Sequence, residues 1–385
     1  MTKMNILPKN LNQFSSQEKA IQKLKKLSRE LLSFPLFQLR NNAKHSTSNI
    51  LKLFVDAAIT NDSPEARCKK GNYSSADDAL LHVKDKITIE KIEAMCRYFL
   101  DEKFIKILRR RFPTLKLTIA FDFTPEPFYG DKNCQFVTGY EPKDGTYYCF
   151  KFFTVSLVVQ GTRYLLFAYP VYRKESKIWF MERALNFLKS MRMVPDLLLL
   201  DREFYEVSVF AFLKERRITY EMPAKHDSHF ESTVKSCEAL PAVVHGYEIT
   251  NALHESVWVD LVIIEDDEHE EKKTYGYVTN VNISEYRDDV LVLRDNYKKR
   301  WGIETAHRVH DQFKIRTCCK EGNVRYLFFA IAFLLYNLWV YVNLLMNDYK
   351  IGKRFRIKIT VSDFSDTVFD FFKDSSTLLF INVAM

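Results

Sequence analysis

Residues 326–346, YLFFAIAFLLYNLWVYVNLLM, run for 21 residues without a formal charge. A stretch of that length and composition admits two folds: a helix across a bilayer, or a helix buried on every side inside a large protein core. Asn337 and Asn343 interrupt it, three tyrosines are spread along it, and no second segment resembles a partner span. The buried helix is therefore the expectation, with no membrane as partner. The chain has the means to enclose it, since 385 residues with 47% hydrophobic and 14% aromatic content suffice for two or three folding units with full cores.

Charge is unevenly distributed. The chain carries a net +8, and residues 1–112 alone hold 22 Lys plus Arg against 12 Asp plus Glu. Helical patterning fills most of that region, and its last helix runs into Arg109, Arg110 and Arg111 before Pro113. A persistent positive excess on helices suits a phosphate backbone, which needs Lys and Arg but no fixed motif. Residues 1–112 are expected to form a helical, basic DNA-binding domain. The seven cysteines lack CxxC spacing, which argues against a disulfide framework or a zinc ribbon and for a reducing, cytoplasmic setting. The first twenty residues lack the apolar core of a signal peptide.

After Pro113 the texture becomes β-rich. KLTIAFDFTPEPF (116–128), YYCFKFFTVSLVVQ (147–160) and RYLLFAYPVY (163–172) read as strands, then come a helix, the strand LLLLD, another helix and the strand ITYEMPA (218–224). That order is the ribonuclease H arrangement, an α/β fold. Residues 225–282 interrupt it with further strand-like pieces, and the acidic run EDDEHEEKK among them reads as a solvated hairpin turn. The expected divisions are 1–112, a first core segment at 113–224, a β-rich insertion at 225–282, a second core segment at 283–350, and a tail at 351–385.

Two carboxylates stand at strand ends. Asp122 follows TIAF, and Asp201 follows four leucines. Each has an ordinary reading, a turn for Asp122 and a helix cap for Asp201. In a ribonuclease H-like sheet, however, the first and fourth strands are neighbours, and the two carboxylates would face each other as oxygen donors of the kind Mg²⁺ prefers. Further on, NYKKRWGIE places Tyr297, Arg300 and Glu304 at helical steps of three and four, on one face. HRVH, with His307 and His310, lacks the i, i+4 spacing of a zinc protease helix, and Cys318–Cys319 reads as packing.

These residues together resemble the DDE transposases of prokaryotic insertion sequences, in the subgroup marked by Tyr-x2-Arg-x3-Glu-x6-Lys. The resemblance covers about residues 116–346, and Arg202 and Phe204 fit its Asp-Arg-x-Phe second motif. It implies a catalytic, metal-binding triad of Asp122, Asp201 and Glu304 working with Mg²⁺, which Mn²⁺ can replace. It also implies that Tyr297 and Arg300 contact DNA backbone, and that a homodimer pairs the two ends of the element. Element terminal repeats and target DNA would be the double-stranded partners, and the setting nucleoid-associated. One position departs from the pattern, since Asp311 stands where the signature has Lys; Arg308 and Lys314 are the nearest basic substitutes. Trp258, the only Trp in the insertion, has two readings: stacking on a flipped-out base, or packing within a strand. A ribonuclease H-like nuclease without strand transfer, or a non-catalytic DNA-binding protein, are the rival functions.

Overall fold

A computed structural model gives the architecture. It describes residues 11–106 except 40–42, 44, 72 and 74; residues 117–266 except 144, 160–161 and 173; and residues 273–281, 290–346 and 357–370. For residues 11–17, 101–103, 143, 159, 162, 266 and 301–305 only the backbone is described. Arg109, Arg110 and Arg111 lie outside the described residues.

The chain divides into two compact units, Met1–Phe112 with Ala306–Met385, and Pro113–Thr305. In chain order the helices are α1 (Leu11–Leu32), α2 (Thr47–Ile59), α3 (Pro64–Lys70), α4 (Ala76–Lys84), α5 (Ile89–Phe99), α6 (Lys177–Ser190), α7 (Val207–Glu215), α8 (Ser228–Ser236), α9 (Leu291–His310) and α10 (Gly322–Met346). The strands are β1 (Thr118–Pro127), β2 (Val137–Lys143), β3 (Thr146–Val159), β4 (Thr162–Pro170), β5 (Leu197–Leu199), β6 (Tyr220–Pro223), β7 (Ala242–Thr250), β8 (Ser256–Asp266) and β9 (Lys273–Thr279).

In the first unit, serine and threonine caps start the short helices: Ser46, Ser63, Ser75 and Thr88 each accept a hydrogen bond from a backbone N–H of the first turn. The centre is α10, which packs against α1, α2, α4 and α5. Its apolar composition is matched by burial: from Val324 to Leu344 every residue is buried. The asparagines that interrupt the apolar run have a structural use. Asn343 Oδ1 accepts the backbone N–H groups of Lys358 (2.7 Å) and Ile359 (2.9 Å), and its Nδ2 donates to the carbonyls of Trp339 and Ile359. This arrangement alters the expected domain plan, because the helix assigned to a second core segment at 283–350 belongs with residues 1–112.

The second unit is a mixed α/β structure built on a nine-stranded sheet of order β2-β3-β1-β5-β6-β9-β8-β7, with β4 paired to β3. β1, β5 and β6 run parallel and the other pairs are antiparallel. Two features go beyond the sequence expectation. The added hairpin strand β2 makes the leucine strand fifth, not fourth, although it still lies beside β1. Within residues 225–282, β7, β8 and β9 join the same sheet, because β9 pairs with β6 (Met222 opposite Val278) and extends it outward through β8 and β7. The acidic run lies between the paired ends Asp266 and Lys273, and its residues 267–272 are outside the described residues.

Candidate active site

Strand alternation decides where the first aspartate points. Phe121 and Phe123 are buried on one face of β1, in an aromatic cluster with Phe153 of β3, Phe180 of α6 and Phe204. Asp122, between them, must therefore project from the opposite face. Ala120 registers with Leu199 across the parallel pair β1–β5, so two residues further along each chain stand Asp122 and Asp201. Asp201 lies just past the carboxyl end of β5, but Asp122 is not at a strand end as its sequence suggested: β1 continues to Pro127 beside β3, and Asp122 stands where the β1–β5 pairing stops after Ala120 and Leu199, which opens the gap in which the two aspartates meet.

Asp201 caps a turn, though not the helix expected from its sequence, which starts after Glu206. Its Oδ1 accepts the backbone N–H of Glu203 at 2.8 Å and caps the short 3₁₀ turn Arg202–Phe204. Its Oδ2 accepts from Arg300 Nη2 at 3.0 Å, and the same nitrogen donates to Asp122 Oδ1 at 3.0 Å. One guanidinium nitrogen thus bridges the two carboxylates, whose bonded oxygens lie within twice that distance of each other. All three side chains are mostly buried, at 11% exposure for Arg300, 16% for Asp122 and 23% for Asp201. Burial pushes the Asp201 carboxyl up to about 6, the Asp122 and Glu203 charges push the same way, and Arg300 opposes them.

α9 supplies the arginine. Tyr297 and Leu293 bury against Val262, Ile264 and Tyr277 of β8 and β9, which anchors the helix over the sheet. The Arg300 guanidinium lies 5.8 Å from the centre of the Tyr297 ring. Tyr297 is 9% exposed, so it supports Arg300 from within the core instead of standing open to a DNA backbone. Glu304 follows Arg300 by one helical turn on α9, and its side chain is outside the described residues. Among the described residues no cluster of three His, Cys, Asp or Glu donors occurs.

The remaining expected residues fall as follows. Arg202 is exposed in the turn that Asp201 caps. Arg308 is exposed on α9. Lys314 does not continue that helix, since α9 ends at His310 and a 3₁₀ turn at Asp311–Phe313 leads to an extended Lys314. Its phase relative to Glu304 cannot be read from helical steps. Trp258 is 58% exposed, with its neighbours Val257 and Val259 buried, so the packing reading of this residue is corrected: it stands on the outer face of β8. His310 is buried against Phe329, with ring centres 4.6 Å apart, and Cys318 and Cys319 are free thiols.

Five charged residues around the Asp201 turn and its strand escaped the sequence reading: Lys151, Lys177, Glu203, Glu206 and Glu221. Lys151 of β3 pairs with the Glu203 carboxylate, and Lys177 donates to the Glu203 carbonyl and to Glu206. The signal was a lone lysine inside the apolar strand CFKFF. Glu221 registers with Leu199 and so shares the sheet face of Asp201, one step down its strand. It is fully buried, neither carboxyl oxygen has a hydrogen-bond partner, and burial raises it well above the usual carboxylate range. A carboxylate inside a short apolar strand, as in TYEMP, was visible in the sequence.

Oxygen donors paired where β1 and β5 part, with an arginine over them, can chemically hold a divalent cation or an anionic phosphoryl group. The sequence model of the family described as "Transposase DDE domain" matches residues 99–338, more than half of the chain, and the protein belongs to that family. It is a DDE transposase, an enzyme that acts on DNA. Comparison with curated proteins finds no match. Among solved structures, the piggyBac transposase synaptic complex with hairpin DNA is similar over 94% of this chain and 81% of that chain, at 12% sequence identity and a TM-score of 0.49.

Proposed function

We propose that this transposase binds the terminal repeats of its own element and cuts and joins DNA at a ribonuclease H-like catalytic sheet, as a member of the prokaryotic insertion-sequence subgroup with the Tyr-x2-Arg-x3-Glu-x6-Lys signature, from which it departs at Asp311. The observation that carries the reading is the convergence of Asp122 and Asp201, 79 residues apart in sequence, on one Arg300 nitrogen. Hard oxygen donors brought to a common point suit Mg²⁺ or Mn²⁺. Asp122 and Asp201 would hold the metal with Glu304, and a bound metal pair supplies charge neutralisation and activation of the attacking oxygen.

The protein's own groups do the rest. Strand β1 and the turn after β5 fix the two aspartates before substrate arrives, which leaves little reorganisation for the reaction itself. Arg300 balances the carboxylates and, once a cation does so instead, has a guanidinium fork free for a phosphate. Arg202 stands exposed beside Asp201 to contact the DNA backbone. The basic helices of the first unit bind the repeats, and two copies of the chain, in a cytoplasmic and nucleoid-associated setting, pair the ends.

The test is incubation of the full-length chain with Mg²⁺ and DNA carrying the terminal repeats that flank its coding sequence. Asp122→Asn, Asp201→Asn and Glu304→Gln should each slow cleavage by roughly a thousandfold, about 4 kcal/mol of transition-state stabilisation, while DNA retardation persists. Normal cleavage by any of the three removes that residue from the triad. Joined products in a strand-transfer assay separate a transposase from a hydrolytic nuclease.

A further inference from the structure

We propose that Lys151 and Lys177 are positioning residues that clamp the turn carrying Asp201, so that one Asp201 oxygen stays in its backbone cap and the other stays turned toward Asp122. The proposal rests on the reading of Asp122 and Asp201 as the metal-holding pair.

Asp201 divides its carboxylate between the Glu203 N–H and the Arg300 bridge. Any rotation of the turn therefore rotates the oxygen that faces Asp122. A three-residue 3₁₀ turn has little stability of its own, so its orientation must come from what holds it. Three contacts do so. Phe204 is fully buried and stacks on Phe123, centres 5.1 Å apart and planes 18° from parallel. Lys151 binds the Glu203 carboxylate. Lys177 binds the Glu203 carbonyl and, at 2.6 Å, the Glu206 carboxylate.

Neither lysine is placed for ordinary stability. Lys177 is the first residue of α6, where the helix dipole disfavours a cation. Lys151 is only 19% exposed, and fixing a long, largely buried lysine costs rotamer entropy and hydration. What Lys151 gains is contact with both aspartate-bearing segments, since its ammonium lies 4.8 Å from the ring centre of Phe123, the neighbour of Asp122, while it binds Glu203. It ties β1 to the Asp201 turn, and Lys177 ties that turn to α6.

Outer partners that orient metal ligands commonly alter metal affinity or activity by about 10–100-fold when removed. In the full-length chain, Lys151→Met and Lys177→Met should raise the Mg²⁺ concentration for half-maximal cleavage by roughly tenfold, with the rate at saturating Mg²⁺ restored to within a few-fold. Mn²⁺ binding followed by electron paramagnetic resonance without DNA should weaken in parallel. Lys151→Arg should recover most of the loss, because it keeps the charge toward Glu203, and Glu203→Gln combined with Lys151→Met should be no worse than either change alone. An unchanged metal requirement in the Lys151→Met/Lys177→Met double variant overturns the clamp. So does a loss that excess metal does not restore and that follows a lowered melting temperature. Asp201→Asn separates the two levels: if it cleaves normally, the reading of the metal pair fails; if it is inactive while the lysine variants match the unaltered chain, only the clamp fails.

Discussion

Arg300 holds two carboxylates together that would otherwise repel each other in a partly buried site. Its two charge-assisted hydrogen bonds are each worth about 1.5–3 kcal/mol, and Arg300→Gln should lower the melting temperature of the metal-free protein. Added Mn²⁺ should then raise that temperature more than it does in the unaltered chain, because the cation takes over the arginine's charge; an equal response in both proteins would contradict this. Asp201 sets a pH dependence. Its folded pKa is raised to about 6 from 3.8, so its contribution to stability is complete below its ordinary range and is lost as pH rises through about 6. Metal needs the ionised form, and apparent Mg²⁺ affinity should climb between about pH 5 and pH 7, then level off, as read by cleavage at limiting metal. Glu221 acts in the same sense, since burial raises its carboxyl well above the usual range and so favours the neutral form in the fold. Glu221→Gln should therefore stabilise the protein by a margin that grows as pH rises above the ordinary glutamate range, and a margin independent of pH would show that the buried carboxyl is not neutral. Asp201 was legible as a residue after a strand, whereas Asp122 turned out to lie inside β1 and the Asp201 cap to serve a 3₁₀ turn instead of the following helix; the arginine bridge was not legible, because a contact between residues 122, 201 and 300 depends on the register of β1 with β5 and on where α9 lies over them.

At the scale of elements, periodicity located most helices and strands, and it failed where local pattern is silent about pairing. Residues 137–143 carry no clear apolar alternation, yet they form β2 because the edge of β3 offers backbone partners, Val137 opposite Phe150 and Gly139 opposite Tyr148. Residues 225–282 read as a β-rich insertion, and what the local pattern could not show is that their strands join the same sheet through β9 and β6. The apolar helix α10 carries the clearest element-scale consequence. Asn343 satisfies two backbone N–H groups of residues 358–359, and its Nδ2 two carbonyls. Asn343→Leu leaves the N–H groups without this partner at about 1–3 kcal/mol each and should lower stability by at least about 2 kcal/mol in urea denaturation, in spite of the added apolar surface. A neutral or stabilising result would mean that water replaces the asparagine.

For the whole molecule, the first unit is assembled from both ends of the described chain, with α10 returning to residues 1–112. A fragment of residues 1–112 therefore keeps the basic excess but loses the helix on which α1, α2 and α5 bury their apolar faces. It should bind a hydrophobic dye and aggregate, and co-expression with residues 306–385 should restore a soluble unit; a well-folded 1–112 fragment with cooperative melting would refute this. DNA binding by the intact chain should weaken steeply with salt, at a slope of about −0.9 per neutralised phosphate. The sequence by itself determined the chemical vocabulary: carboxylates that follow apolar runs, a helical Tyr-x2-Arg-x3-Glu face, a basic front and one all-apolar helix, because residue type and short-range periodicity are local properties. Only the tertiary structure decided which of these meet. It turned Asp122 away from its phenylalanine neighbours, brought Arg300 across to both aspartates, set lysines from β3 and α6 against Glu203 in the turn after Asp201, and enclosed α10 among helices far away in sequence. Each of those outcomes is set by strand register and by burial between segments distant along the chain, and neither is written in the spacing of any one segment.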